Sequence, residues 1–395
     1  MKMFKKDFPL LGSKVIYLDS AASAQKPKAV LKAMDTFYKT SYSNVHRGTC
    51  HLANMATEAY ENARYTVALF LNTKADNIVF TKGATESINL VASGYAQMLK
   101  PGDEVLICTA EHHANFVPWQ QACLRSGATF KVFNILPDGR WNLDDFKAKL
   151  SQKTRLVAVA GMSNVLGVLN PVQDIVSMAH RVGAKVLVDA AQSIAHVPTD
   201  VKKLDCDFLA FSGHKLYGPT GIGVLYGTTE ALASLSPYQF GGEMVDKVTI
   251  EKTTFAPVPA RLEAGTPPIT EAIGLAEAIN YMDKIGFTTI QKREQALFEK
   301  LIAKLQHIKN IEFLGEPKYK TGLVSFNIKG IHPNDLSAIL SKENVCVRVG
   351  HHCAMPLHTF LGIKASLRVS LGLYNDSKDI DAFISALNKA IGFFK

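Results

Sequence analysis

Between residues 76 and 227 the chain repeats one device. Short, mostly apolar runs are separated by longer amphipathic stretches. DNIVF (76–80), EVLIC (104–108), FKVFNI (130–135), RLVAVAG (155–161), KVLVDAA (185–191), FLAFSG (208–213) and GVLYG (223–227) are rich in Val, Ile and Leu and do not alternate with polar residues. Such runs predict strands covered on both faces, as in a mostly parallel sheet. The stretches between them, such as 85–99 and 172–183, have helical spacing; Gly94 does not stop the first and Gly183 ends the second. Strand and helix in alternation predict an open α/β sheet with right-handed crossovers.

The pattern changes near residue 270. Helical stretches at 271–286 and 292–308 are followed by strand-like LVSFNI (323–328), a helix at 333–344, strands at 345–350 and 367–372, and a last helix at 377–394. Mixed runs of this kind predict a smaller α+β domain. The chain reads as an N-terminal segment (1–14) packing with the small domain, a large domain (15–270) and a C-terminal domain (271–395).

With 47% hydrophobic and 20% charged residues, this is a globular composition. A net charge of +9 comes from scattered Lys and Arg, and no basic stripe marks a nucleic-acid surface. It favours anionic ligands or an acidic partner. Six cysteines, at positions 50, 108, 123, 206, 346 and 353, form no CxxC pair and no zinc spacing, which predicts reduced thiols in the cytoplasm. No run approaches the ~20 apolar residues of a membrane span, and MKMFKKDFPLLG lacks the apolar core of a signal peptide.

Three motifs carry chemistry. In FSGHKLYGPTGIGVLYG (211–227) a lysine follows a strand end and a Ser-Gly-His turn. Lys215 there can form a Schiff base, with Ser212 and His214 placed to hold a phosphate. In VLVDAAQS (186–193) Asp189 ends an apolar strand, where a buried carboxylate needs a cationic partner such as a protonated pyridine nitrogen. In TKGATESIN (81–89) Thr85 opens a helix whose N-terminus attracts anions. Each also has an ordinary structural use: a surface lysine in a turn, a helix N-cap, a common helix start.

In their order along the chain, the three resemble the fold-type I pyridoxal-phosphate enzymes of the class V aminotransferase family. Within them, SNVHRG (43–48), AEHHANFVPW (110–119), SNVLG (163–167), FGGEMV (240–245), RLEAGTPP (261–268), RVGHHCAMPL (348–357) and RVSLGLYN (368–375) resemble the group II (Suf-type) cysteine desulfurases and selenocysteine lyases. That resemblance implies the following roles. Lys215 would carry pyridoxal 5'-phosphate, His112 would stack on its ring, and Asp189 would pair with the ring nitrogen. Gln192 and Asn164 would bond the ring hydroxyl region. Thr85, Ser212 and His214 would bind the phosphate, joined by Thr266 from the other subunit of a homodimer. Arg368 would clamp the substrate carboxylate, with Arg348, His46 and Arg47 lining the pocket.

Cys353 would take sulfur from L-cysteine, or selenium from L-selenocysteine, leaving L-alanine. It would pass its persulfide to an acceptor protein of the SufE or SufU type for iron–sulfur cluster assembly. Two histidines beside the thiol, His351 and His352, would favour thiolate. Cys50 stands where a histidine is expected, and Ala190 where many relatives have Gly. Two other readings stay open at this point: another fold-type I enzyme (aminotransferase, epimerase or kynureninase-like), which would not need Cys353, and an inactive sulfur-carrier scaffold.

Overall fold

The computed structural model describes residues 4–12 and 14–394. Of the N-terminal segment 1–14, residues 1–3 and 13 therefore lie outside the described residues.

A short N-terminal strand, β1 (Ile16–Tyr17), precedes a seven-stranded sheet. That sheet contains β2 (Ile78–Thr81), β3 (Glu104–Cys108), β4 (Thr129–Phe133), β5 (Thr154–Ala160), β6 (Lys185–Asp189), β7 (Phe208–Ser212) and β8 (Gly223–Gly227), in the order β2-β8-β7-β6-β5-β3-β4. β8 alone runs against the others. Every residue of β2, β3, β7 and β8 is buried. The uninterrupted apolar runs are thus explained: apolar clusters cover both faces. β8 can reverse because the loop 213–222 joins it to β7 without a crossover helix.

A hairpin, β9 (Val245–Val248) with β10 (Thr253–Phe255), stands apart. A second, antiparallel sheet follows, built from β11 (Ile311–Phe313), β12 (Leu323–Ile328), β14 (Arg348–Gly350) and β15 (Ser366–Ser370) in the order β11-β12-β15-β14. Helices Phe287–Gln306, Pro333–Lys342 and Ser377–Gly392 cover it and form a separate apolar cluster.

The run 345–350, read as one strand, divides in two. β13 (Val345–Cys346) pairs in parallel with β1, whereas β14 pairs with β15. Nothing in the run itself marks the break, because the two halves serve different partners.

Close backbone approach shapes the end of β8. A Cβ on Gly223 would lie 2.3 Å from the Cα of Gly83, just before the helix Ala84–Met98. Ser212, paired with Gly223 across the sheet, accepts a 2.8 Å hydrogen bond at Oγ from the Ala84 N–H. Gly223→Ala should therefore push that helix start off the sheet and destabilise the protein by about 3 kcal/mol, the upper end for overpacking, measured by denaturant unfolding beside wild type.

Candidate active site

The C-terminal ends of β3, β5, β6 and β7 open on one cavity of about 190 Å³. The chain switches direction across the sheet between β3 and β5, where open α/β sheets bind ligands. Thr85, His112, Asn164, Asp189, Gln192, Ser212, His214 and Lys215 line it from this side. From the second sheet come Arg348, His352, Cys353 and Arg368.

Lys215 sits in the turn after β7. Burial pushes its amine down to about 8, against the opposing pull of Asp189. Asp189 ends β6, and burial raises its carboxyl while Lys215 counters. Its Oδ1 accepts from the Ala191 N–H at 2.9 Å. A buried carboxylate held by one backbone N–H suits a cationic ring N–H. His112 follows β3, and its Nδ1 accepts from the Ala114 N–H at 3.0 Å. Burial, then Lys215, drives His112 down to about 3, so its ring is neutral and can lie against an aromatic group. Thr85, Ser212 and His214 gather at the N-terminus of the helix Ala84–Met98, a fitting seat for a phosphate. His214 is also neutral, pushed down to about 4 by burial and then by Lys215.

Arg348 and Arg368 face each other as register partners on β14 and β15. Arg368 is 2% exposed. Its NH1 donates to Asn164 O at 2.9 Å and its NH2 to Asp19 Oδ1 at 3.0 Å. Its Nε is buried without a partner among the described residues. Two cations on neighbouring strands repel unless anions join them. Asp19 is one such anion, and the vacant donor suits a carboxylate as a second.

The Cys353 loop is strained. His352 (φ 50°) and Cys353 (φ 56°) are consecutive left-handed residues with side chains. Hydrogen bonds from the large sheet's side hold them there. Asn164 Nδ2 donates to His352 O at 2.6 Å, the His113 N–H donates to Cys353 O at 2.6 Å, and the Met355 N–H donates to His113 Nε2 at 3.0 Å. Cys353 is near enough to Lys215 and Arg368 for both to feel its sulfur.

Two residues read as lining this pocket, His46 and Arg47, lie elsewhere within the chain. His46 Nε2 pairs with Glu61 at 2.8 Å, and Arg47 pairs with Glu243 at 3.1 Å. His46 lines a separate cavity with Glu243, Glu263 and Gly265, beside Thr266. Cys50 is exposed at the start of the helix His51–Phe70 and does not line the active-site cavity. His352 does not supply the cation expected beside the thiol. Burial, then Arg368, pushes it down to about 2, so the positive charges are Lys215, Arg348 and Arg368. Gln192 Nε2 is committed to Ala21 O and Asn164 Nδ2 to His352 O.

Sequence reasoning missed Asp19, His113, Ser366 and His358. Asp19 stands in the run YLDSAAS (17–23), and its pairing with an arginine 349 residues away leaves no local signal.

Two outcomes follow from this electrostatics. The neutral amine is the nucleophile, so reaction of Lys215 in the apo-protein with an aldehyde should rise with pH through a midpoint near 8 rather than the ordinary lysine value near 10.4. Absorbance titration against Lys215→Ala reads it. Asp19→Ala leaves the Arg368 charge buried and unpaired and should cost about 3 kcal/mol of stability, with Asp19→Asn losing less, as read by chemical denaturation.

Against known proteins, residues 16–383 match the family model "Aminotransferase class-V". A probable cysteine desulfurase of Halalkalibacterium halodurans is 45% identical over 397 aligned positions, covering 99% of this chain and 98% of that protein. One from Staphylococcus epidermidis is 46% identical, covering 100% and 97%. Among solved structures, the cysteine desulfurase CsdA of Escherichia coli superposes with a TM-score of 0.93 at 38% identity, covering 99% of this chain and 98% of that one. The apo cysteine desulfurase of Thermococcus onnurineus NA1 superposes with a TM-score of 0.96 at 39% identity, covering 100% and 99%. The chain belongs to the aminotransferase class-V family, among its cysteine desulfurases.

Proposed function

We propose that this protein is a pyridoxal-phosphate-dependent cysteine desulfurase that converts L-cysteine to L-alanine and leaves the sulfur as a persulfide on Cys353. The observation that carries this reading is one cavity holding a buried lysine with a lowered pKa, an acid at a strand end, and a cysteine on a strained, pinned loop.

When bound, pyridoxal phosphate supplies an aldehyde carbon for an amine and a ring that delocalises an electron pair left at Cα. Lys215 would hold it, Asp189 would pair with the ring nitrogen, and His112 would stack as a neutral ring. Gln192 and Asn164 would border the ring hydroxyl region, and Thr85, Ser212 and His214 would take the phosphate. Arg368, with Arg348 beside it, holds the substrate carboxylate as a fork. The neutral Lys215 Nζ would move the proton at the substrate Cα. The Cys353 sulfur attacks the substrate sulfur. An S–S bond forms as the substrate Cβ–S bond breaks, so L-cysteine and the Cys353 thiol become L-alanine and a Cys353 persulfide.

We further infer a Suf-type enzyme that also accepts L-selenocysteine, works as a homodimer, and hands sulfur to a SufE- or SufU-type acceptor for iron–sulfur cluster assembly. The placement of His46, Arg47 and Thr266 away from their own chain's cavity supports a second copy that uses them. Exposed Tyr38, on the helix Lys28–Thr40, Tyr42 just after it, and Tyr65 and Leu69 on the helix His51–Phe70 provide apolar surface for it. The two separate sheets support a division into a large domain (15–270) and a small one (271–395), although the helix Ile269–Ile285 packs into the large sheet's apolar cluster and β1 pairs with β13. Six unpaired thiols fit a reducing, cytoplasmic setting. No helix among the described residues is long and apolar enough to cross a membrane.

Alanine release from L-cysteine by the loaded enzyme, wild type beside Cys353→Ala, tests the reading. The expected loss is at least about 100-fold, the scale of removing an essential nucleophile. A mutant as fast as wild type would favour a class V activity that does not use the thiol.

A further inference from the structure

His352 is 4% exposed, and its ring is bonded on one side only. The hydrogens on that side set its tautomer. His358 Nδ1 lies 3.0 Å from Ala354 O, which can only accept, so His358 carries its hydrogen on Nδ1. Burial lowers the His358 pKa, so the ring is neutral and its Nε2 accepts. At 3.1 Å, that nitrogen takes the hydroxyl hydrogen of Ser366. Ser366 Oγ has no other hydrogen to give. His352 Nε2, 3.0 Å from Ser366 Oγ and 3.1 Å from Ser366 O, is therefore the donor to both.

A neutral imidazole with its hydrogen on Nε2 presents a bare lone pair at Nδ1. That atom is buried and has no hydrogen-bond partner among the described residues, the Cys353 sulfur included. His352 lines the cavity together with Lys215, Cys353 and Arg368. A buried acceptor left unpaired is costly, so a ligand that brings a donor to it gains binding.

L-cysteine has two donors, the amine and the thiol. The amine is engaged on the Lys215 side in the desulfurase reading, which leaves the thiol. We propose that His352 Nδ1 accepts a hydrogen bond from the substrate thiol, which makes His352 a specificity-determining residue for sulfur over selenium. This rests on that desulfurase reading. A cysteine thiol, with a pKa near 8.5, keeps its hydrogen at neutral pH. A selenol is more acidic and ionised there, and offers the lone pair nothing.

The test is made on the holoenzyme, with kcat/KM for L-cysteine and L-selenocysteine in wild type, His352→Gln and His352→Asn. Glutamine keeps an N–H donor for Ser366 but has no atom at Nδ1. Asparagine places an amide oxygen near Nδ1 but does not reach Ser366. The ratio of L-cysteine to L-selenocysteine kcat/KM should fall about tenfold in His352→Gln, or 1.4 kcal/mol, and return toward wild type in His352→Asn. The cofactor absorption spectrum checks folding of both variants.

Binding gives a second readout. In a Cys353→Ala background, spectral titration should show L-cysteine binding about tenfold more weakly to His352→Gln, with L-alanine, which has no thiol, unaffected. An unchanged ratio, or a parallel fall for both substrates, would overturn the proposal, leaving Nδ1 facing water or His352 merely supporting the loop. Alanine from neither substrate in wild type would instead sink the desulfurase reading, and the titration alone would then decide the role of His352.

Discussion

The site depends on one buried guanidinium. Arg368 stands on β15 of the small sheet, yet its hydrogen bonds go to Asp19 just after β1 and to Asn164 beyond β5 of the large sheet. Asn164 in turn holds the backbone of His352. A buried cation must be paired, so the parts it ties together cannot drift apart without exposing or stranding it. The cavity lies at this seam, and its chemistry needs both sides: the lysine and aspartate from the large sheet, the arginines and the cysteine loop from the small one.

Around that cation the cavity is electropositive, and the histidines respond to it. His112, His214 and His352 are all driven toward the neutral form, first by burial and then by Lys215 or Arg368. As neutral rings they suit stacking and hydrogen bonding, while charge is left to Lys215, Arg348 and Arg368. Even the nearby buried acid Glu111 is raised to about 8 by burial, and its oxygens are occupied by the Ala160 N–H and the Asn115 amide. Asp189 remains the acid inside the cavity, at the position suited to a cationic ring nitrogen. Anionic groups, such as a phosphate at one end and a carboxylate at the other, would complete the charge balance.

Much of this could be read along the chain. The apolar runs at 104–108 and 223–227 coincide with β3 and β8, since a strand buried on both faces is apolar along most of its length. Asp189 and Lys215 were legible because strand ends followed by turn residues mark where ligands bind. The break within 345–350 was not legible, since β13 and β14 are defined by partners some 20 to 330 residues away in sequence. His46, Arg47 and Thr266 carry the right residue types, but their location apart from the cavity is a matter of how distant loops pack.

The sequence alone determined the α/β architecture and the family, and singled out Lys215, Asp189 and Cys353 as the candidate reactive groups. Periodicity and short motifs are local properties, written in consecutive residues. Only the tertiary structure decided how those groups are tuned and aimed. Pairing Arg368 with Asp19, neutralising His352 and routing the hydrogens from His358 through Ser366 all depend on burial and on contacts between distant residues. Charge states and tautomers follow from those surroundings, so the same residues in another packing would carry different ones.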